Sequence, residues 1–162
     1  TLGHPLHRRP MSRAALAPLA LAVLFPTSAA AADLTALQQA LIRHGFQIAV
    51  RQPPGKAYGR FLPASKRLEI SPLVRDLGIT RPVLLHEAVH AAQSCPSGTL
   101  SLLGIKRQAS PVVESRIRYL LSHHYPQAHG SLEQEAFRLQ SQPDAEALII
   151  AALNQRCQPA EE

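Results

Sequence analysis

The sequence predicts an α+β domain: a small antiparallel sheet packed on one central helix, with further helices C-terminal to it. Three observations point there. Short segments of alternating character lie between residues 46 and 70, separated by Pro- and Gly-containing turns. From Val83 to Ser94 no charge other than Glu87 interrupts an apolar run, as expected of a buried helix. Beyond it, three more stretches open on Ser or Pro and run at helical spacing.

The bulk numbers agree with a folded domain. The chain has 162 residues, 46% apolar and 17% charged, which suits one domain and argues against wholesale disorder. Aromatic residues are 4% and Trp is absent, so the core must be built from Leu, Ile, Val and Ala.

Residues 1–32 are expected to be a leader, an upstream extension followed by a signal peptide, and residues 33–162 a single domain. Arg13 supplies the positive start, Ala14 to Phe25 the apolar stretch, and Ala30 and Ala32 an A-x-A cleavage signal, with Asp33 as the mature start. The apolar stretch is too short for a lasting bilayer span. The expected location is therefore periplasmic or secreted. In such an oxidising compartment the cysteine pair, Cys95 and Cys157, is expected to form a disulfide.

The formal charge of +6 includes Arg8, Arg9 and Arg13 of the leader. From Asp33 onward, 14 basic residues face 11 acidic ones, and the basic ones are scattered. With no basic helix face and no aromatic-studded basic strand, a nucleic-acid partner is not expected.

The elements follow in order. Asp33 is placed to cap a helix in which Leu34, Leu37, Ala40, Leu41 and Ile42 repeat at helical spacing, and Gly45 ends it. Residues 46–50, 58–62 and 67–70 read as three strands, turned at Pro53-Pro54-Gly55 and at Pro63-Ala64-Ser65. Ser71-Pro72 begins a connector. Thr80, as N-cap, and Pro82, in the first turn, open a helix to about Ser94. Residues 96–109 read as a loop. Helices are expected at about 111–122, from Ser131 to about Gln140, and from Pro143-Asp144 to near Cys157.

The chemistry sits in His86-Glu87-Ala88-Val89-His90. Two His four residues apart on a helix lie one turn apart on one face, so both imidazoles can reach one ion. Glu87 is turned about 100° from that face, toward a metal-bound water rather than the metal. Zinc lowers the pKa of its water to roughly 7, and a neighbouring carboxylate can take the proton. A Glu buried between two His in an apolar helix is costly unless it has a task.

The stretch Val83-Leu84-Leu85-His86-Glu87-Ala88-Val89-His90-Ala91-Ala92 resembles the active-site helix of the zincin metallopeptidases. The small sheet before it matches the order in which those enzymes use an edge strand to hold extended substrate. Gln93 and Pro96 stand where the metzincin branch needs Gly and His, so the resemblance is to a small gluzincin-like domain of an uncharacterised exported bacterial type. That branch takes its third ligand from a later helix, often within Glu-x-x-Ala. The pattern is met by Glu133 and Ala136; Glu135 is the alternative and Glu114 the next. Gln93, His123, His124, Tyr125 and His129 are candidates for contacts around the site or for stabilising an oxyanion.

The resemblance implies one zinc ion, held by His86, His90 and a glutamate, with Glu87 as general base acting on a peptide or protein substrate. A non-catalytic zincin-like module, in which the metal serves structure or binding, is the alternative. A periplasmic metal-binding protein is a third reading, and would call for a more His-rich surface.

Overall fold

The computed structural model describes residues 34–124 and 129–159. The stretch expected to be a leader, with its expected cleavage site, Asp33 and Tyr125 fall outside them. Helix α1 spans Thr35–Arg43 and buries Leu37, Ala40 and Leu41. Gly45 then takes φ 77°, a left-handed conformation that glycine adopts without steric cost, and turns the chain into the sheet. His44 fixes the end of α1 to the C-terminal segment: its Nδ1 donates to the Gln158 carbonyl at 3.2 Å and its Nε2 meets the Asn154 side chain at 3.0 Å.

Strands β1 (Gln47–Val50), β2 (Gly59–Leu62) and β3 (Arg67–Ile70) form the sheet in the order β1-β3-β2. The sheet is mixed, which corrects the wholly antiparallel expectation. β2 and β3 pair antiparallel across the short turn Pro63–Ser65, but β1 pairs parallel with β3, Gln47 opposite Arg67 and Val50 opposite Ile70. The cause is the connection through Pro53-Pro54-Gly55. It is too long for a tight hairpin and carries β2 past the position that β3 then fills. Gln52 ties this connection down by accepting from Ser71 Oγ at 2.6 Å and donating to the Ala57 carbonyl at 3.1 Å.

A one-turn helix α2, Leu73–Asp76, lies in what reads as a connector in the sequence, and places Val74 in the core. Helix α3 spans Thr80–Gln93. Its N-cap position is Ile79 rather than Thr80, with no side-chain cap, and Pro82 lies in the first turn where a missing N–H costs nothing. Helices α4 (Pro111–His124), α5 (Gly130–Gln140) and α6 (Ala145–Arg156) follow; α5 begins at Gly130, and Ser131 lies inside it rather than capping it. No described helix is long and apolar enough to cross a membrane.

α3 is the centre of the fold. All ten residues from Leu84 to Gln93 are buried. The helix packs against α5 and α6 on one side and against β2 and β3 on the other. The side chains around it are aliphatic, with Leu37, Leu41, Leu68, Leu139, Ile149 and Leu153 fully buried. Burying one such side chain contributes about 1.5–3 kcal/mol.

Cys95, just past α3, is disulfide-bonded to Cys157, just past α6, with their Cα atoms 5.0 Å apart. Arg156 reinforces this corner by donating to the carbonyls of Cys95 (3.0 Å) and Leu102 (2.8 Å) and to Ser101 Oγ (2.7 Å).

Candidate metal centre

His86 and His90 stand one turn apart on α3, their rings edge to face with centroids 4.8 Å apart. Their Nε2 atoms are separated by 3.1 Å. Glu133, from the first turn of α5, brings Oε2 to 3.0 Å from His86 Nε2 and 3.4 Å from His90 Nε2. All three ligand atoms lie within 4.8 Å of one another.

The outer nitrogens determine what this triangle can hold. His90 Nδ1 lies 2.7 Å from Gln93 Oε1, while Gln93 Nε2 donates to the Leu132 carbonyl at 3.2 Å and to Glu135 Oε2 at 2.8 Å. The two donor bonds fix which end of the Gln93 amide faces His90. His90 therefore donates from Nδ1 and carries its lone pair on Nε2. Gln140 Oε1 sits against His86 Nδ1 at 2.7 Å, the position of an acceptor for a second Nδ1–H. Three lone-pair-bearing atoms thus face one another inside the protein and repel unless a cation, a proton or a metal ion, lies among them. Two imidazoles and a carboxylate suit zinc chemically. The separations of 3.0, 3.1 and 3.4 Å match the edge of a tetrahedron, about 3.3 Å for metal–ligand distances of about 2.0–2.1 Å.

The charges are coupled. Burial pushes the Glu133 carboxyl up, but its bonds to His86 and His90 and their charges outweigh this and hold it at about 2. Burial likewise works to lower His90, yet the bond and charge of Glu133, then the charge of Glu87, raise it above its ordinary value. Glu87 is raised, chiefly because it is buried; the neighbouring His86 and His90 pull in the opposite direction.

Glu87 leaves α3 toward β2, where the nearby backbone N–H of Phe61 favours its ionised form. Gly59 makes room for it. A Cβ at that position would stand 2.5 Å from Glu87 Oε1 and 2.7 Å from Val83, so any other residue would force one of those side chains to shift. His86, Glu87, His90 and Glu133 open onto a cleft of about 330 Å³ whose other walls include Gly59, Arg60, Phe61, Leu100, His129 and Leu132. A second hollow reaches His86 and Glu87 from the other side, past His124 and Phe137.

The remaining candidates separate clearly. Glu135 does not join the triangle: it accepts from Gln93 and from the backbone N–H groups of Leu103 and Gly104. It points elsewhere because it lies about 200° round α5 from Glu133. Glu114 is also elsewhere, bonded to Arg138 at 2.7 and 3.0 Å. Gln93 supports His90 as described. His123 stacks on Tyr119 at the exposed end of α4, with its Nδ1 2.8 Å from the Tyr119 carbonyl. His124 is exposed and reaches only the second hollow, and His129 lines the main cleft.

Three contributors escape the sequence reading. Gln140 and Phe137 fall seven and four residues after Glu133, and so share its stripe on α5; Phe137 packs on the His86 ring at 4.5 Å. That stripe is the signal that could have found them. For Gly59 the signal is a glycine inside a strand, which marks a close approach.

No protein-family model matches this chain, and neither a curated protein nor a solved structure matches it.

Proposed function

We propose that this protein is an exported zinc-dependent metallopeptidase that hydrolyses peptide bonds, with Glu87 as general base. The observation that carries the reading is the convergence of His86 Nε2, His90 Nε2 and Glu133 Oε2 beside a buried Glu87 at the floor of a cleft.

Zinc bound by His86, His90 and Glu133 would supply Lewis acidity, polarising the substrate carbonyl and making a coordinated water more acidic at neutral pH. Glu87 takes the proton of the attacking water as its oxygen bonds to the carbonyl carbon. It returns that proton to the amide nitrogen as the carbon–nitrogen bond breaks, leaving a carboxylic acid and an amine, between which the acid's proton passes to give carboxylate and ammonium. Burial raises the Glu87 carboxyl, which brings it nearer the neutral range where one group can both accept and donate. Gly59, Arg60 and Phe61 of β2, an edge strand, form a cleft wall along which an extended peptide can lie. The disulfide of Cys95 and Cys157 accords with export into an oxidising compartment.

The test compares three proteins. The unmodified chain should carry about one zinc and cut peptides from a broad library. His86→Ala should lose stoichiometric zinc. Glu87→Gln should keep zinc and fold while losing at least about a hundredfold in hydrolysis, the scale of general-base removal. If the unmodified protein carries zinc and cuts no peptide, the non-catalytic metal-binding module becomes the better reading.

A further inference from the structure

We infer that Glu135 is a positioning residue which, through Gln93, holds the metal ligand His90 and the cleft wall around Leu100–Gly104 in one network. The inference rests on the metal reading of His86, His90 and Glu133, and adds a part to that site which no ligand pattern assigns.

Gln93 is the last residue of α3 and is completely buried. A buried amide is costly unless its donors and acceptor are satisfied. Its Oε1 meets His90 Nδ1 at 2.7 Å, and its Nε2 donates to Leu132 O at 3.2 Å and Glu135 Oε2 at 2.8 Å. Its backbone carbonyl accepts from Ser101 N at 2.9 Å. Glu135 then turns both oxygens to the loop, Oε2 accepting from Leu103 N at 2.8 Å and Oε1 from Gly104 N at 2.9 Å. Residues 95–110 contain no helix or strand, so these bonds, with those from Arg156, stand in for regular structure. Leu100 of the same loop lines the cleft.

One carboxylate therefore joins three pieces: α5, which also carries Glu133; the end of α3, which carries His90; and the loop that walls the cleft. The His90 ring is oriented by Gln93, and the Gln93 amide by Glu135. Whatever orders His90 must therefore also order Leu103 and Gly104. By linkage the converse holds: a metal that binds only the oriented His90 stabilises the closed loop, and an ordered loop tightens the metal.

The experiment uses the full chain with two readouts: zinc affinity by chelator competition, and hydrogen exchange at the Leu103 and Gly104 amides with and without zinc. In the unmodified protein zinc should slow exchange at both amides. Glu135→Ala should weaken zinc about 10–100-fold, the usual effect of removing support behind a metal-bound His, and both amides should exchange faster. Gln93→Leu leaves the Glu135–loop bonds in place and removes the amide that joins Glu135 and the Leu132 carbonyl to His90. It should lose a similar factor in zinc affinity and keep the amides protected, but their protection should no longer respond to zinc. That uncoupling is something a merely structural role would not produce, and Gln93→Leu carries the test if Glu135→Ala fails to fold. Unchanged zinc affinity and unchanged zinc response in Gln93→Leu overturn the relay while leaving the metal site standing. An unmodified protein that binds no zinc overturns the metal reading and the coupling together.

Discussion

Helices α3 and α4 are each 14 residues long, yet they are built on opposite terms. α3 buries ten residues in succession, four of them polar, of which His86, His90 and Gln93 are hydrogen-bonded and Glu87 lies among the charges of His86 and His90. α4 buries Ile117 alone and exposes Val112 (79%) and Tyr119 (51%). α3 packs against helices on one side and the sheet on the other, whereas α4 packs mainly against α5. A polar site can sit inside an apolar helix when neighbouring elements supply the hydrogen bonds. Gln140 and Glu133 come from α5, and Gln93 from α3 itself. The site and the core are therefore the same object here, and α4 is peripheral to both.

The largest difference between the helices should appear in stability. Leu85 is 1% exposed in the core cluster, so Leu85→Ala should cost about 2–5 kcal/mol through lost burial and an unfilled cavity. Val112→Ala on α4 should stay within about 0.5 kcal/mol, as exposed substitutions usually do. Denaturant titration of both variants measures the contrast. Equal losses would mean that α4 buries Val112 against something else.

How much of this was legible in the sequence depended on range. His86, Glu87 and His90 are local, and 3.6-residue periodicity alone puts the two imidazoles on one face. Glu133 could be found at a distance because a pattern, Glu-x-x-Ala, pointed to it. The disulfide is expected from an even pair of cysteines behind a stretch that reads as a signal peptide. The α+β class came from the change of period after residue 70. What could not be read depends on pairing in space. The parallel register of β1 with β3 is set by a long connection, not by either strand's own residues. Gly59 matters through the side chain it lacks. Glu135 looked like a rival ligand because a carboxylate's partners, here two loop N–H groups, are not encoded beside it.

A medium-sized effect should separate metal-free from zinc-loaded protein as pH changes. In the metal-free protein His90 is raised, so its contribution is fully present below the unfolded value of about 6.5 and is lost as pH rises through its folded value. Glu87 is also raised, so its contribution likewise declines as pH climbs from its ordinary value toward its folded one. Glu133 has the opposite sign: its contribution is present above its ordinary value and is lost as pH falls through about 2. Metal-free protein should therefore be most stable in weak acid and lose stability toward pH 8. Zinc-loaded protein should gain stability over that interval, because ligands must shed protons to bind metal. Thermal melts with chelator and with zinc, from pH 5 to 8, check the crossing. Parallel profiles would mean that zinc does not use these side chains.

The smallest effect belongs to α4. Glu114 and Arg138 form a two-pronged ion pair between α4 and α5, with both side chains partly open to solvent. The bond to Arg138 holds the Glu114 carboxyl below its ordinary value and raises Arg138 in turn. Stability from this pair is present above the ordinary carboxylate value and is lost as pH falls through the lowered one. Water and salt screen such pairs, so a double-mutant cycle with Glu114→Gln and Arg138→Met should give a coupling of at most about 1 kcal/mol. High salt should reduce it further. Zinc content should not change in the Glu114→Gln variant, since Glu114 lies outside the ligand triangle. A coupling of several kcal/mol would show that α4 is locked to α5 as firmly as α3 is. Loss of zinc in the same variant would show that the α4–α5 contact holds Glu133 in place, and the separation of site helix from peripheral helix would fail.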